Sequence, residues 1–150
     1  MADRTFSPSA LRDAREVRFA EPRLVRFQDV DAAGIIFYPR VLEYLSDVYI
    51  SMLMGGGWDL PKELGRSAVG TPLVHAEADY LAPLRFGDKV SVEIVDVKMG
   101  TTSFTVGYRV RTEGGVVAAV GQTVHVCLDR ATFTPHEIPA ALRVILSGEA

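Results

Sequence analysis

The chain has 150 residues, 48% of them apolar and 23% charged, which fits one soluble globular domain with a real core. A formal net charge of -3 gives no electrostatic case for a nucleic-acid partner, and no apolar run is long enough to cross a bilayer. The one cysteine, Cys127, cannot close an internal disulfide, so a reducing, cytoplasmic setting is expected.

Residues 1–20 are polar and weakly periodic, and they read as a loose N-terminal arm with a short helix over residues 10–17. Charges scattered through this arm leave no apolar core for a signal peptide. Residues 23–30 (RLVRFQDV) alternate enough to predict a strand with Val25 and Phe27 on one face. Gly34 then lets the backbone turn. Pro39 suits the first position of a helix, where its missing N–H has no partner to lose, and Tyr38 before it is pushed out of helical angles. Val41, Leu45, Val48 and Met52 keep helical spacing, and the polar side of this helix is narrow, so it should be largely enclosed. Gly55-Gly56-Gly57 ends it.

WDLPKELGR reads as a short helix or turn. Four strand-like segments follow, starting at Thr71, Asp88, Thr102 and Gly115. In the second, Val90, Val92 and Ile94 face one way against Ser91 and Glu93. In the third, Phe104, Val106, Tyr108 and Val110 oppose Thr105, Gly107 and Arg109. The fourth is apolar at nearly every position and reads as an interior strand. Glu113-Gly114-Gly115 suits a hairpin turn, and EIPAALRVIL is a closing strand or helix. The predicted class is α+β: a five-stranded antiparallel sheet curled around one long central helix.

Few residues outside the helix start suggest chemistry. His75 alternates with Val74 and Ala76 in a strand and reads as a paired structural histidine. His125 lies in the most apolar strand and reads as a satisfied core residue; His136 lies in the tail. The three show no ligand spacing, so no metal is expected. Cys127 reads as core. Asp29 and Asp31, taken alone, are ordinary turn formers.

RFQDVDAAGIIFYPRVLEYL, GTPLVHAEADYLAPLRFGD and TTSFTV, in this order of elements, resemble the hotdog-fold acyl-CoA thioesterases, and within them the 4-hydroxybenzoyl-CoA thioesterase family. The likeness spans residues 23–139. It implies a hotdog domain over residues 21–150, homodimers joined sheet edge to sheet edge with active sites at the interface, and pairing of dimers into homotetramers. It implies an acyl-CoA substrate, possible aromatic acyl groups, and no cofactor beyond the coenzyme A of the substrate. Asp31 matches the family's catalytic carboxylate, Tyr38 the residue whose backbone N–H polarises the thioester carbonyl, and Thr71 an active-site threonine. Asp29 stays structural.

A thioester needs little more than this, because thiolate leaves well. One carboxylate can attack the carbonyl or deprotonate a water, and free N–H groups at a helix N-terminus can hold the oxyanion. Gly34 and Ser46 are candidate substrate contacts, with Asp47 beside Ser46. Some members carry basic residues before the SF pair to hold CoA phosphates; here that stretch is Gly100-Thr101-Thr102. Arg85 and Lys89, with Lys98 and Arg109, are the cations available instead. Pro39 stands where another branch has histidine, which favours the aromatic-acyl branch. Two other readings stay open: a hotdog hydratase or dehydratase, which would need a histidine near the helix start, and a non-enzymatic acyl-CoA binder.

Overall fold

Ser7 and Pro8 start the first helix, α1 (Pro8–Arg12), in a computed structural model that describes residues 5–149. Residues 1–4 of the expected arm, and residue 150, lie outside them. The Ser7 side chain accepts from the Ala10 N–H, a cap that fixes the helix earlier than the expected 10–17. The rest of the arm is not loose. Leu11 is buried with Val95 and Val120, and Phe6 packs beside them. Gln122 grips the backbone of Phe6 twice, accepting from its N–H at 3.1 Å and donating to its carbonyl at 2.8 Å. A β-carbon added to Gly107 would meet Leu11 Cδ2 at 2.5 Å, so glycine is what lets the arm lie on the strand. Gly107→Ala should therefore loosen the arm by about 1–3 kcal/mol, the usual cost of overpacking. Amide exchange over residues 5–15 should quicken; unchanged protection would refute the contact's importance.

The first strand, β1 (Phe19–Leu24), begins inside the expected arm and ends well before residue 30. Val25 is buried as expected, but Phe27 is 77% exposed. Residues Phe27–Asp29 instead form a single 3-10 turn, because the Asp29 carboxylate accepts the Arg26 N–H and bends the chain. Pro22 is tolerated because β1 is an edge strand.

The long helix α2 (Tyr38–Gly55) buries Val41, Tyr44, Leu45, Val48, Tyr49, Met52 and Leu53. It is followed by α3 (Leu60–Glu63), β2 (Val69–Gly70), β3 (Leu73–Tyr80), β4 (Lys89–Met99), β5 (Ser103–Thr112), β6 (Val117–Val126), β7 (Leu128–Asp129) and α4 (Ala140–Ser147). The closing segment is thus a helix, and Leu142, Ile145 and Leu146 dock it into the core. The sheet is antiparallel with order β1-β4-β5-β6-β3, so β6 is interior as its apolar run predicts. The β2–β7 ribbon is a small addition that sequence patterning did not indicate. The sheet lies close against α2 at Gly121, where a β-carbon would meet Leu45 Cδ1 at 2.8 Å, and Glu77 O of β3 at 2.7 Å.

The inner faces of β4 and β5 follow the expected alternation: Val90, Val92, Ile94, Phe104, Val106, Tyr108 and Val110 all join the core around α2. The outer face departs from it. Glu93 and Arg109 are buried there, 2.8 Å apart, beneath the arm. Two carbonyls of the arm, Arg12 O and Ala14 O, accept from Arg109 Nη1. At the far side, β3 pairs only with β6 and leaves its other edge open, with Leu73, Val74 and Tyr80 about half exposed.

Candidate active site

The Asp29 carboxylate organises the loop between β1 and α2. It is buried, accepts from Tyr44 Oη at 2.7 Å and from the Arg26 N–H at 3.0 Å, and has the guanidinium groups of Arg26 and Arg40 nearby at 3.7 and 3.8 Å. Burial opposes its ionisation, but the Tyr44 and Arg26 hydrogen bonds and the two cations outweigh that and hold it below the usual carboxylate range. Tyr44 is pushed the other way, by burial first and then by the carboxylate it serves. Arg23 lies over the Tyr44 ring and pairs with Asp47. The carbonyl of Asp29 also accepts the Phe37 N–H at 2.8 Å, which closes the loop onto the start of α2.

Asp31 sits on the turn inside that closed loop. Its N–H bonds Ile35 O, its carbonyl accepts from Gly34 N, and its Oδ1 accepts from the Ala33 N–H at 2.8 Å. Gly34 takes a left-handed conformation there, φ 79°, which is its evident role. The side chain is exposed, and Oδ2 has no partner among the described residues. Tyr38 opens α2 at the other end of the loop. Its N–H has no intrahelical acceptor, as for any first-turn residue, and no acceptor is found among the described residues. Its carbonyl accepts from Tyr80 Oη at 2.8 Å, which ties the helix start to the end of β3.

Ser46 and Thr71 meet elsewhere, in a cavity of about 370 Å³ between α2, α3, β3 and β6. Leu42, Ile50, Leu60, Leu64 and Leu73 make it apolar. Thr71, Leu60 and Leu64 also line a second groove of about 350 Å³ that runs past Trp58, Arg130 and Phe133. Asp31 and Tyr38 border neither space within one chain.

The expected cations do not gather at these cavities. Arg85 lies on the turn before β4, where its N–H donates to Asp88, and Lys89 shares a depression with Asp88 and Glu113. Lys98 is exposed on β4. Arg109 is corrected outright: it is buried and its donors are filled by Glu93 and the arm. His75 is exposed, 3.8 Å from Glu77, and His136 lies beside the Glu137 carbonyl. Cys127 is buried, and burial pushes its thiol up. Among the described residues no group of three or more His, Cys, Asp or Glu could hold a metal, and no helix is long and apolar enough to cross a membrane. His125 is buried as expected but is not the satisfied core residue its strand suggests, since Nδ1 makes no hydrogen bond of normal geometry, and it and Tyr49 also line the Ser46–Thr71 cavity. For His125 the apolar neighbours in the chain signal core alone.

The family model of the thioesterase-like superfamily matches residues 25–146. A 1,4-dihydroxy-2-naphthoyl-CoA hydrolase of Nostoc punctiforme is 36% identical over 121 residues, which cover 81% of each chain. The solved structure of a 1,4-dihydroxy-2-naphthoyl-CoA thioesterase from Synechocystis superposes with a TM-score of 0.82 at 25% identity, covering 86% of this chain and 95% of that one. A gentisyl-coenzyme A thioesterase structure gives a TM-score of 0.74 at 27% identity, with 83% and 99% covered. The hotdog thioesterase resemblance is borne out by these matches; the narrower 4-hydroxybenzoyl-CoA assignment is not, since these relatives are named for other aromatic esters.

Proposed function

This chain belongs to the thioesterase-like superfamily, and from that premise we propose an acyl-CoA thioester hydrolase that acts on an aromatic acyl group. Thioester hydrolysis is the activity that the matches support directly. The aromatic acyl group is supported by the names of the three relatives above, two 1,4-dihydroxy-2-naphthoyl-CoA enzymes and a gentisyl-coenzyme A thioesterase. The observation that carries the mechanism is the Asp29-anchored loop, which holds a free carboxylate oxygen at Asp31 and an unaccepted N–H at Tyr38 on its two ends.

The chemistry follows from those two groups. The thioester carbonyl oxygen accepts the Tyr38 N–H, and charge building on it is favoured by the positive end of α2. Asp31 acts as nucleophile or general base. As nucleophile its oxygen bonds the carbonyl carbon, the thiolate leaves, and water then opens the mixed anhydride. As base it takes a proton from the attacking water, and the thiolate leaves from the tetrahedral intermediate. Either route yields the free acid and coenzyme A.

The open edge of β3 explains how a cavity remote from Asp31 can serve it. An exposed strand edge is a ready template for pairing. Two copies paired antiparallel through the middle of β3 would set Leu73 of one beside Tyr80 of the other. Leu73 lines the acyl cavity, and Tyr80 holds the carbonyl of Tyr38. Each cavity would then face the catalytic loop of the second copy, so the homodimer is the active unit. Pairing of dimers into tetramers would have to avoid the strand face that the arm already covers. A cytoplasmic location fits the single unpaired cysteine.

The test is thiol release from benzoyl-, naphthoyl-, phenylacetyl- and aliphatic-CoA esters, read with the sedimentation mass. Aromatic esters should be cleaved fastest by a dimer or a multiple of it. Tight ester binding without any thiol release would make the protein a carrier and overturn the proposal.

A further inference from the structure

The cavity between α2, α3, β3 and β6 has a floor unlike its walls. Tyr108 Oη and Thr123 Oγ1 lie 2.8 Å apart, and Thr123 Oγ1 lies 3.0 Å from His125 Nε2. The His125 ring is held between Tyr49, with centroids 4.6 Å apart, and Phe104, at 5.0 Å, so it cannot turn toward other partners. Tyr49 and His125 are 8% and 6% exposed, yet Tyr49 Oη and His125 Nδ1 make no hydrogen bond of normal geometry, Thr71 being the polar neighbour of both. Burial pushes the His125 pKa down to about 4, so at neutral pH its ring carries one N–H and one lone pair.

Unfilled buried valences are few in native proteins and costly to keep. Whatever fills these must both donate and accept, since a phenol and a neutral imidazole together offer both. It must also arrive on an apolar body that suits the leucine walls. No Asp, Glu, Lys or Arg lines this cavity, which excludes a charged acyl tail as the occupant. A hydroxyl on an aromatic ring meets every one of these conditions. Access is inexpensive, because α3, which supplies Leu60 to the roof, contains no buried residue.

We propose that this cavity receives an acyl ring bearing a hydroxyl group and that Tyr49 and His125 are the residues that select for that hydroxyl; this rests on the thioesterase reading. The acyl preference is thereby set from the centre of α2 and from β6, away from the loop that carries Asp31.

Tyr49→Phe is the decisive variant, because it deletes an oxygen that makes no hydrogen bond of normal geometry in the resting chain, Thr71 being its polar neighbour, and so should leave the melting temperature nearly unchanged. The readout is the ratio of kcat/KM within matched pairs: 4-hydroxybenzoyl- against benzoyl-CoA, and 4-hydroxy-2-naphthoyl- against 2-naphthoyl-CoA. The wild type should prefer the hydroxylated member of at least one pair by about tenfold, the order expected for one satisfied buried hydrogen bond. Tyr49→Phe should bring that ratio close to one. A ratio that survives in Tyr49→Phe, or that collapses in Ser46→Ala but not in Tyr49→Phe, overturns the proposal. If the wild type cleaves none of the esters, the thioesterase reading fails by itself. Calorimetry with 4-hydroxybenzoate, benzoate and the two naphthoates then reads the same hydroxyl preference without turnover, and equal binding by wild type and variant overturns it.

Discussion

Asp31→Asn is expected to lower kcat about a thousandfold, within the range that a positioned acid–base group contributes. The fold should be untouched. The amide oxygen of asparagine can still accept the Ala33 N–H, so the turn that Asp31 makes is kept. KM should change little, because the side chain is exposed and contributes no wall to the Ser46–Thr71 cavity. A split of this kind, kcat lost with melting temperature and KM retained, separates chemistry from scaffolding. A variant with near-normal turnover would remove Asp31 from the reaction.

Asp29→Ala should instead strike the scaffold. Removing one partner of a buried charge cluster typically costs about 3–5 kcal/mol, and here it would strand Tyr44 Oη and the Arg26 N–H together. The loop that carries the Asp31 carboxylate and the Tyr38 N–H would lose its anchor, so melting temperature and kcat should fall together. Acid should weaken the native chain by the same route. Asp29 is ionised more readily folded than unfolded, so its contribution is fully present above the unfolded aspartate value of about 4 and is lost as pH drops through the lower folded value. Asp29→Asn should flatten that acid limb of a melting-temperature profile. An unchanged limb would mean that other carboxylates dominate it.

The central helix was legible because its signals agree. Apolar spacing, Pro39 near the start and three glycines at the end all point to one enclosed helix, and α2 spans Tyr38–Gly55. The inner faces of β4 and β5 were legible for the same reason. The first strand was not. Val25 and Phe27 alternate with polar residues on paper, but Asp29 draws the chain into a turn and leaves Phe27 outside. Glu93, Thr105 and Arg109 hold outward positions, which usually means water. Here the arm covers them, and no local pattern can report a cover that joins Arg109 to a residue 97 positions earlier. Asp31, Tyr38 and Thr71 were picked out by motif; their separation into a loop and a remote cavity needed coordinates. So did the orphan atoms of Tyr49 and His125, since a sequence shows rings but not which valences are left over.

The bonds between the arm and the sheet carry a consequence for the order in which the chain matures. Phe6 meets Gln122 across 116 positions, and Arg12 and Ala14 meet Arg109 across 97 and 95. Such contacts close long loops and carry the matching entropic cost. The arm, made well before the strands it lies on, must therefore wait for β5 and β6 before it has anything to hold, and a nascent chain stalled before β6 would leave Phe6 and Leu11 without Gln122 and Val120.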